Sequence, residues 1–246
     1  MPDPVRQKTG YEKWQETIDQ AKSDPRWHAY DAEIMLAVGE FNRYLSRMKG
    51  YFPLDWRLIK AMIWTESGGP DSPAWNFRPM QIGKPGDPGL HALLSGKEGG
   101  EVIMPPELKN RLSVGNVGIP SLNIRAGIAY LLMRCASYGF VQVADVSDSK
   151  IYEYKVKPGD SLDKIARMQG TTIGVLRKLN PSAAVLMPGQ SIRYQKASNQ
   201  KVVTRWQPIT TMSIAQKYNT DLGDPNYARK LDYCLSVMAQ FAGGSS

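Results

Sequence analysis

Residues 152–194 read YEYKVKPGDSLDKIARMQGTTIGVLRKLNPSAAVLMPGQSIRY. Tyr152, Tyr154 and Val156 alternate with Glu153, Lys155 and Lys157, the two-residue period of a strand with one buried face. Pro158-Gly159-Asp160 is turn chemistry, and Asp160 is placed to cap a helix from Ser161 to Gln169. A second short helix is expected over Ile173 to Asn180. Pro188-Gly189 turns the chain again into an alternating strand, Ser191 to Gln195. The stretch therefore predicts a small strand–helix–helix–strand unit.

Charge sets the same stretch apart. The 246-residue chain carries 31 Lys and Arg against 23 Asp and Glu, a formal net charge of +8. Nine basic and three acidic residues lie between Lys150 and Lys196, so this segment holds +6 and the remainder only +2. Such asymmetry marks a module boundary, and the basic excess points to a polyanionic partner. With 42% hydrophobic residues and only two cysteines, the composition excludes collagen-like, disordered and disulfide-scaffold classes. No apolar run is long enough to span a bilayer, so no membrane insertion is expected.

Outside this segment the pattern is helical. Ile34, Val38, Phe41, Leu45 and Met48 form an apolar stripe that stops near Gly50. A second helix starts at the cap Asp55 and runs through Leu58, Ile59, Met62 and Ile63 to Glu66, where Ser67-Gly68-Gly69-Pro70 ends it. From Pro70 to Pro120 the Gly- and Pro-rich sequence predicts long irregular loops. Ile124, Ile128, Leu131, Cys135 and Tyr138 form another stripe, with Gly139 at the expected C-cap. After a polar linker, Ala197 to Lys201, two helices are expected. The last opens at Asp224-Pro225 and carries Tyr227, Leu231, Cys234, Leu235 and Met238.

The strand–helix–helix–strand unit resembles the LysM family, through Tyr154 to Leu162, Ile165-Ala166, Leu179-Asn180-Pro181 and Met187 to Ile192. The resemblance implies binding of N-acetylglucosamine-containing glycans such as peptidoglycan, in a shallow groove between two loops. It assigns glycan contacts to Gly159, Asp160, Ser161, Leu162, Asn180, Pro181 and Met187.

Glu66 extends the apolar face of its helix at the C-terminal end. Apolar surroundings and the negative end of the helix dipole both disfavour a carboxylate, which suits a general acid. Around it stand, in order, Glu66-Ser67, Pro79-Met80-Gln81-Ile82, Asn123-Ile124 with Gly127 and Tyr130-Leu131, and Tyr218-Asn219. This series resembles the lytic transglycosylases of the goose-lysozyme-like superfamily. The resemblance makes Glu66 the acid/base and has Tyr218 hydrogen-bond it. It places sugar contacts on Ser67, Met80, Gln81, Ile82 and Asn219, and makes Tyr227 a closing aromatic. Arg78-Pro79 stands where that family has Gly-Leu, and Thr220 where Gly often follows Tyr-Asn.

The expected fold class is α+β. A mainly α-helical, lysozyme-like domain is discontinuous, over 1–148 and 198–246, with a small βααβ LysM module inserted at 149–197. Ser213 to Thr220 also resembles the helix of a second LysM copy, but no Pro-Gly-Asp turn precedes it. Expected chemistry is cleavage of the β-1,4 bond between N-acetylmuramic acid and N-acetylglucosamine, with closure of a 1,6-anhydro ring. Hydrolysis with a second carboxylate, from Asp71, Asp87, Glu98 or Glu101, is one alternative. A non-catalytic wall-binding protein is another.

His28 and His91 have no metal-ligand spacing, so neither metal nor cofactor is expected. Cys135 and Cys234 suit either buried thiols or a disulfide. No helix-turn-helix or aromatic-interleaved basic strand favours nucleic acid. Partners expected are peptidoglycan glycan strands, with an immunity protein or a secretion-system component. Met1-Pro2-Asp3-Pro4 begins no secretory signal. The expectation is synthesis in the cytoplasm and non-classical delivery to the periplasm or cell wall, as a type VI-like antibacterial effector or a phage endolysin. Gly243-Gly244-Ser245-Ser246 is expected to be a tail without function.

Overall fold

The computed structural model describes residues 6–183, 185–219 and 224–242. The chain divides into two units, Met1–Ser137 with Val203–Ser246, and Tyr138–Val202. Thr220 and the 243–246 tail lie outside the described residues.

The first unit begins with α1 (Gly10–Asp19), whose N-terminus is closed by a capping box between Thr9 and Glu12. Two short 3-10 turns lead to α2 (Asp31–Leu45), which buries Ile34, Val38, Phe41 and Leu45. Next comes α3 (Trp56–Ser67). Asp55 caps it by accepting from Arg57 N, and Gly68 closes it at φ 75°, a left-handed conformation that glycine adopts freely. Ile59, Met62, Ile63 and Trp64 are fully buried on this helix. Each such side chain stabilises the fold by about 1.5–3 kcal/mol. Lys60 is buried as well, and its ammonium donates to Asp31 Oδ2 at 2.6 Å, tying α3 to α2. Burial holds this ammonium below its ordinary pKa, with Asp31 opposing the shift.

Between α3 and the next long helix, the expected irregular stretch contains four short helices. They are α4 (Pro73–Phe77), α5 (Pro88–Ser95), α6 (Gly100–Ile103) and α7 (Pro106–Arg111). Each is too brief to show an apolar period, and three begin at proline. Then α8 (Pro120–Cys135) runs through the core with Ile124, Ile128, Leu131 and Leu132 fully buried.

The α8 stripe stops three residues earlier than its spacing predicts. Tyr138 and Gly139 belong to strand β1 (Ala136–Ala144), where aromatic and β-branched residues from Tyr138 to Val143 favour extended backbone. In the second unit, β2 (Ile151–Lys155), α9 (Leu162–Gln169), α10 (Ile173–Leu179) and β3 (Ser191–Gln195) follow. Antiparallel β2 and β3 set Tyr152 opposite Tyr194 and Tyr154 opposite Ile192. Their inner face packs on Val156, Ile165, Ala166 and Leu176. The segment expected as a polar linker opens β4 (Ala197–Trp206), which pairs with β1. Ladder hydrogen bonds, rather than a buried face, hold such a ribbon, so polar residues enter it freely.

The chain then returns to the first unit with α11 (Thr211–Lys217) and α12 (Tyr227–Ala242). Asp224 accepts from Asn226 N at 2.9 Å ahead of α12. This helix packs along α3 and α11, with Leu231 and Cys234 fully buried. Cys135 and Cys234 are both free, buried thiols. Among the described residues no helix is long and apolar enough to cross a membrane.

Candidate functional site

Glu66 is the penultimate residue of α3 and lies in a cleft of about 160 Å³. The cleft is also lined by Met80, Gln81, Ile82, Lys84, Asp87, Tyr130, Tyr218 and Asn219. Thus the structure brings Glu66 together with most of the residues expected around it, although 152 positions separate Glu66 from Tyr218 in the chain. Desolvation by burial raises the Glu66 carboxyl above its ordinary pKa, and the Tyr227 hydrogen bond, Lys84 and Lys230 partly oppose that shift.

Tyr227 makes the hydrogen bond expected of Tyr218. Tyr227 Oη donates to Glu66 Oε1 at 2.5 Å. Tyr218, expected to make that bond, donates instead to the Met80 carbonyl at 2.7 Å. The reason is reach: α12 lies along α3 and delivers Tyr227 to the carboxyl, whereas Tyr218 ends α11 and meets the Met80 strip. Tyr130 meets the Tyr218 ring edge-on at 5.5 Å. Desolvation holds both the Tyr218 and the Tyr227 phenols well above the ordinary tyrosine range, so each remains a donor.

The Met80-Gln81-Ile82 strip is pinned from behind by Asn123, which is fully buried. Asn123 Oδ1 accepts from Met80 N at 2.9 Å, and its Nδ2 donates to the carbonyls of Ile82 and Val117. Gly127, one turn further along α8, lets the Met80 side chain lie against the helix. A Cβ there would meet Met80 Cβ at 2.7 Å. Met80 and Ile82 are buried, so they wall the cleft through packing. Gln81 stands at φ 56°, the one non-glycine residue in the left-handed region among the described residues. Its amide donates to the Arg78 carbonyl at 2.5 Å.

Ser67 does not face the cleft as a sugar ligand. It is buried, and its hydroxyl donates back to the Ile63 carbonyl at 2.6 Å while accepting from Gly69 N. A serine in the last turn of a helix satisfies itself on the preceding carbonyl. Of the four candidate second carboxylates, only Asp87 lines the cleft. It caps α5, and its two oxygens accept from Gly89 N at 2.7 Å and Gly83 N at 2.6 Å. Asp71 pairs with Arg26, and Glu98 with Arg134. Glu101 sits in the first turn of α6, against Gly96. Lys84 is the cleft residue that sequence reasoning passed over. The turn Gly83-Lys84-Pro85-Gly86, directly after Met80-Gln81-Ile82, was the available signal.

In the second unit, Asp160 Oδ2 accepts from Lys157 N at 2.9 Å and from Tyr154 Oη at 2.8 Å, and Lys164 pairs with its other oxygen at 3.2 Å. These donors hold its carboxyl below the ordinary aspartate range. Asp160 therefore locks the turn, and Ser161 takes the expected capping role by accepting from Lys164 N. Asn180 bonds the carbonyls of Leu176 and Arg193 and accepts from Arg193 N at 2.8 Å. Gly159, Ser161, Pro181 and Met187 are left exposed on the two loops, and Leu162 is half-buried against the core.

Residues 154–193 match the model of the LysM domain family. They form a LysM domain, a peptidoglycan-binding module. No curated protein and no solved structure matches the chain. Internal hydrogen bonds engage the side chains of Asp160 and Asn180 within this domain.

Proposed function

We propose that the helical unit is a lysozyme-like glycosidase that cleaves peptidoglycan strands, and that the LysM domain holds it on the wall. The observation that carries this reading is the short hydrogen bond from Tyr227 to Glu66, a carboxyl whose pKa is raised, in a cleft walled by Met80, Gln81 and Ile82. A carboxyl whose protonated form is favoured by burial is suited to protonate a glycosidic oxygen as it departs.

In the proposed reaction, Glu66 donates its proton to the oxygen linking N-acetylmuramic acid to N-acetylglucosamine, and the C1–O bond breaks. The resulting carboxylate then takes the proton of the muramyl 6-hydroxyl, whose oxygen bonds to C1 and closes a 1,6-anhydro ring. The enzyme ends as it began, and no water is consumed. Tyr227 fits both halves, since its hydroxyl stabilises the carboxylate formed between them. Asp87 supports the alternative of hydrolysis because it brings a second carboxylate into the cleft. Its engagement by two backbone N–H groups favours the single-carboxylate route.

The site of action proposed is the periplasm or cell wall, where the polymer lies. Mass spectrometry of peptidoglycan digested by the full chain tests the reaction. Anhydromuramyl ends are expected. Reducing ends abolished by Asp87→Asn would establish the hydrolase, and undiminished cleavage by Glu66→Gln would remove Glu66 from the mechanism.

A further inference from the structure

The cleft holds two charged side chains besides Glu66, and they are not equivalent. Asp87 is turned inward, with each oxygen on a backbone N–H. Lys84 is exposed, on the turn between Gly83 and Gly86, both at positive φ. It forms no ion pair with any other described residue. Lys84 lines the same cleft as Glu66, and its charge opposes the rise of the Glu66 pKa. A cation left unneutralised at a cleft rim faces the ligand.

The polymer that the LysM domain binds supplies an anion at that place. Every second sugar of peptidoglycan is a muramyl residue, whose O-lactyl group ends in a carboxyl. That carboxyl is either free or amide-linked to a stem peptide bearing carboxylates of its own. Polymers of N-acetylglucosamine alone carry no such group.

We propose that Lys84 binds a carboxylate carried by the muramyl residue at the cleaved bond, and so makes the cleft selective for anionic glycan. The proposal rests on the peptidoglycan-cleaving reading and adds the recognised group. A charge-assisted contact of this kind, partly open to solvent, is expected to contribute about tenfold in kcat/KM and to weaken as salt rises.

The experiment uses the full chain and three preparations of one glycan. The first keeps its stem peptides. The second is stripped by an amidase and exposes lactyl carboxylates. In the third, those carboxylates are converted to neutral methylamides. The wild type is expected to cleave the neutral strands about tenfold less efficiently than whichever anionic preparation supplies the ligand. Preference for stripped strands identifies the lactyl carboxylate, and preference for peptide-bearing strands identifies the stem peptide. Lys84→Met is expected to erase the preference, and Lys84→Arg to restore most of it.

Equal cleavage of all three preparations by the wild type would overturn the proposal and leave the glycosidase reading standing. So would a preference that survives in Lys84→Met. Absence of cleavage in every arm would instead defeat the glycosidase reading. The pH profile separates a role confined to Glu66. If Lys84→Met moves only the alkaline limb upward and keeps the substrate preference, Lys84 tunes the acid and does not bind the glycan.

Discussion

Glu66 and Asp160 each accept a tyrosine hydroxyl, and they end in opposite states. Glu66 receives Tyr227, and its pKa is raised. Asp160 receives Tyr154, and its pKa is lowered. Desolvation pushes both carboxyls up; at Glu66 it is the leading cause, and at Asp160 the hydrogen bonds from Lys157 N and Tyr154 outweigh it. The two differ in depth of burial and in the donors that oppose it. Asp160 adds a backbone N–H and an ammonium to its phenol, which stabilise the charged form. Glu66 adds only Lys84 and Lys230 acting through space, and the second of these is already bonded to Asp224. The helical unit leaves its carboxyl short of donors, and the LysM domain supplies them in full.

The largest test of this contrast is Glu66→Gln. It is expected to lower peptidoglycan solubilisation by about 10²–10⁴-fold, the range for loss of a general acid. Binding to purified sacculi should stay unchanged, as a pull-down would show. Asn180→Ala strikes the other side. Leaving the Arg193 backbone N–H and the Leu176 and Arg193 carbonyls without their side-chain partner should cost the LysM domain about 2 kcal/mol. Weaker sacculus binding is expected, with turnover of short soluble oligosaccharides retained.

Tyr227→Phe removes the one direct donor to Glu66 found among the described residues. That bond lowers the carboxyl pKa, so its loss should move the alkaline limb of the kcat/KM–pH profile upward. A downward movement would show that the phenol does not stabilise the carboxylate.

The smallest effects, and the most diagnostic, lie in the pH dependence of thermal unfolding. Asp160 has a depressed folded-state pKa. Its contribution is therefore present above about pH 4, the ordinary aspartate value, and is lost as pH falls through the folded value. Asp160→Asn should lower the melting temperature at neutral pH and make little difference in acid. Glu66 has the reverse sign, since with a raised folded-state pKa the unfolded chain releases this proton first, and ionisation above about pH 4 favours unfolding. Glu66→Gln should therefore raise the melting temperature at neutral pH, with the gain vanishing below about pH 4. Parallel curves for the two variants would break the comparison.

Much of this contrast was legible in the sequence. Pro158-Gly159-Asp160 and Pro188-Gly189 fixed the turns of the LysM domain, because turn residues act locally and carry their geometry with them. Asp55 and Gly68 likewise bounded α3, and the apolar stripe ending at Glu66 predicted a carboxyl disfavoured as an anion. That Tyr227 rather than Tyr218 bonds Glu66 was not legible. Sequence order places both near Glu66, but only the packing of α12 along α3 decides which hydroxyl arrives. The ribbon of β1 and β4 also escaped. Phe140 and Val146 near its first strand are exposed, and Ser198, Asn199 and Gln200 begin its second, so no alternation announces a buried face. Ser67 misled for a simpler reason. A hydroxyl can turn to its own helix as readily as to a sugar, and spacing does not say which.

Gln81 holds a consequence for anyone who would redesign this molecule. Its left-handed backbone costs about 1 kcal/mol or more relative to glycine, and a heat-resistant version would be sought there first. Gln81→Gly would relax the chain while deleting the amide that spans from the cleft to the Arg78 carbonyl. The position that folding would surrender most willingly is the one that the cleft has reason to keep.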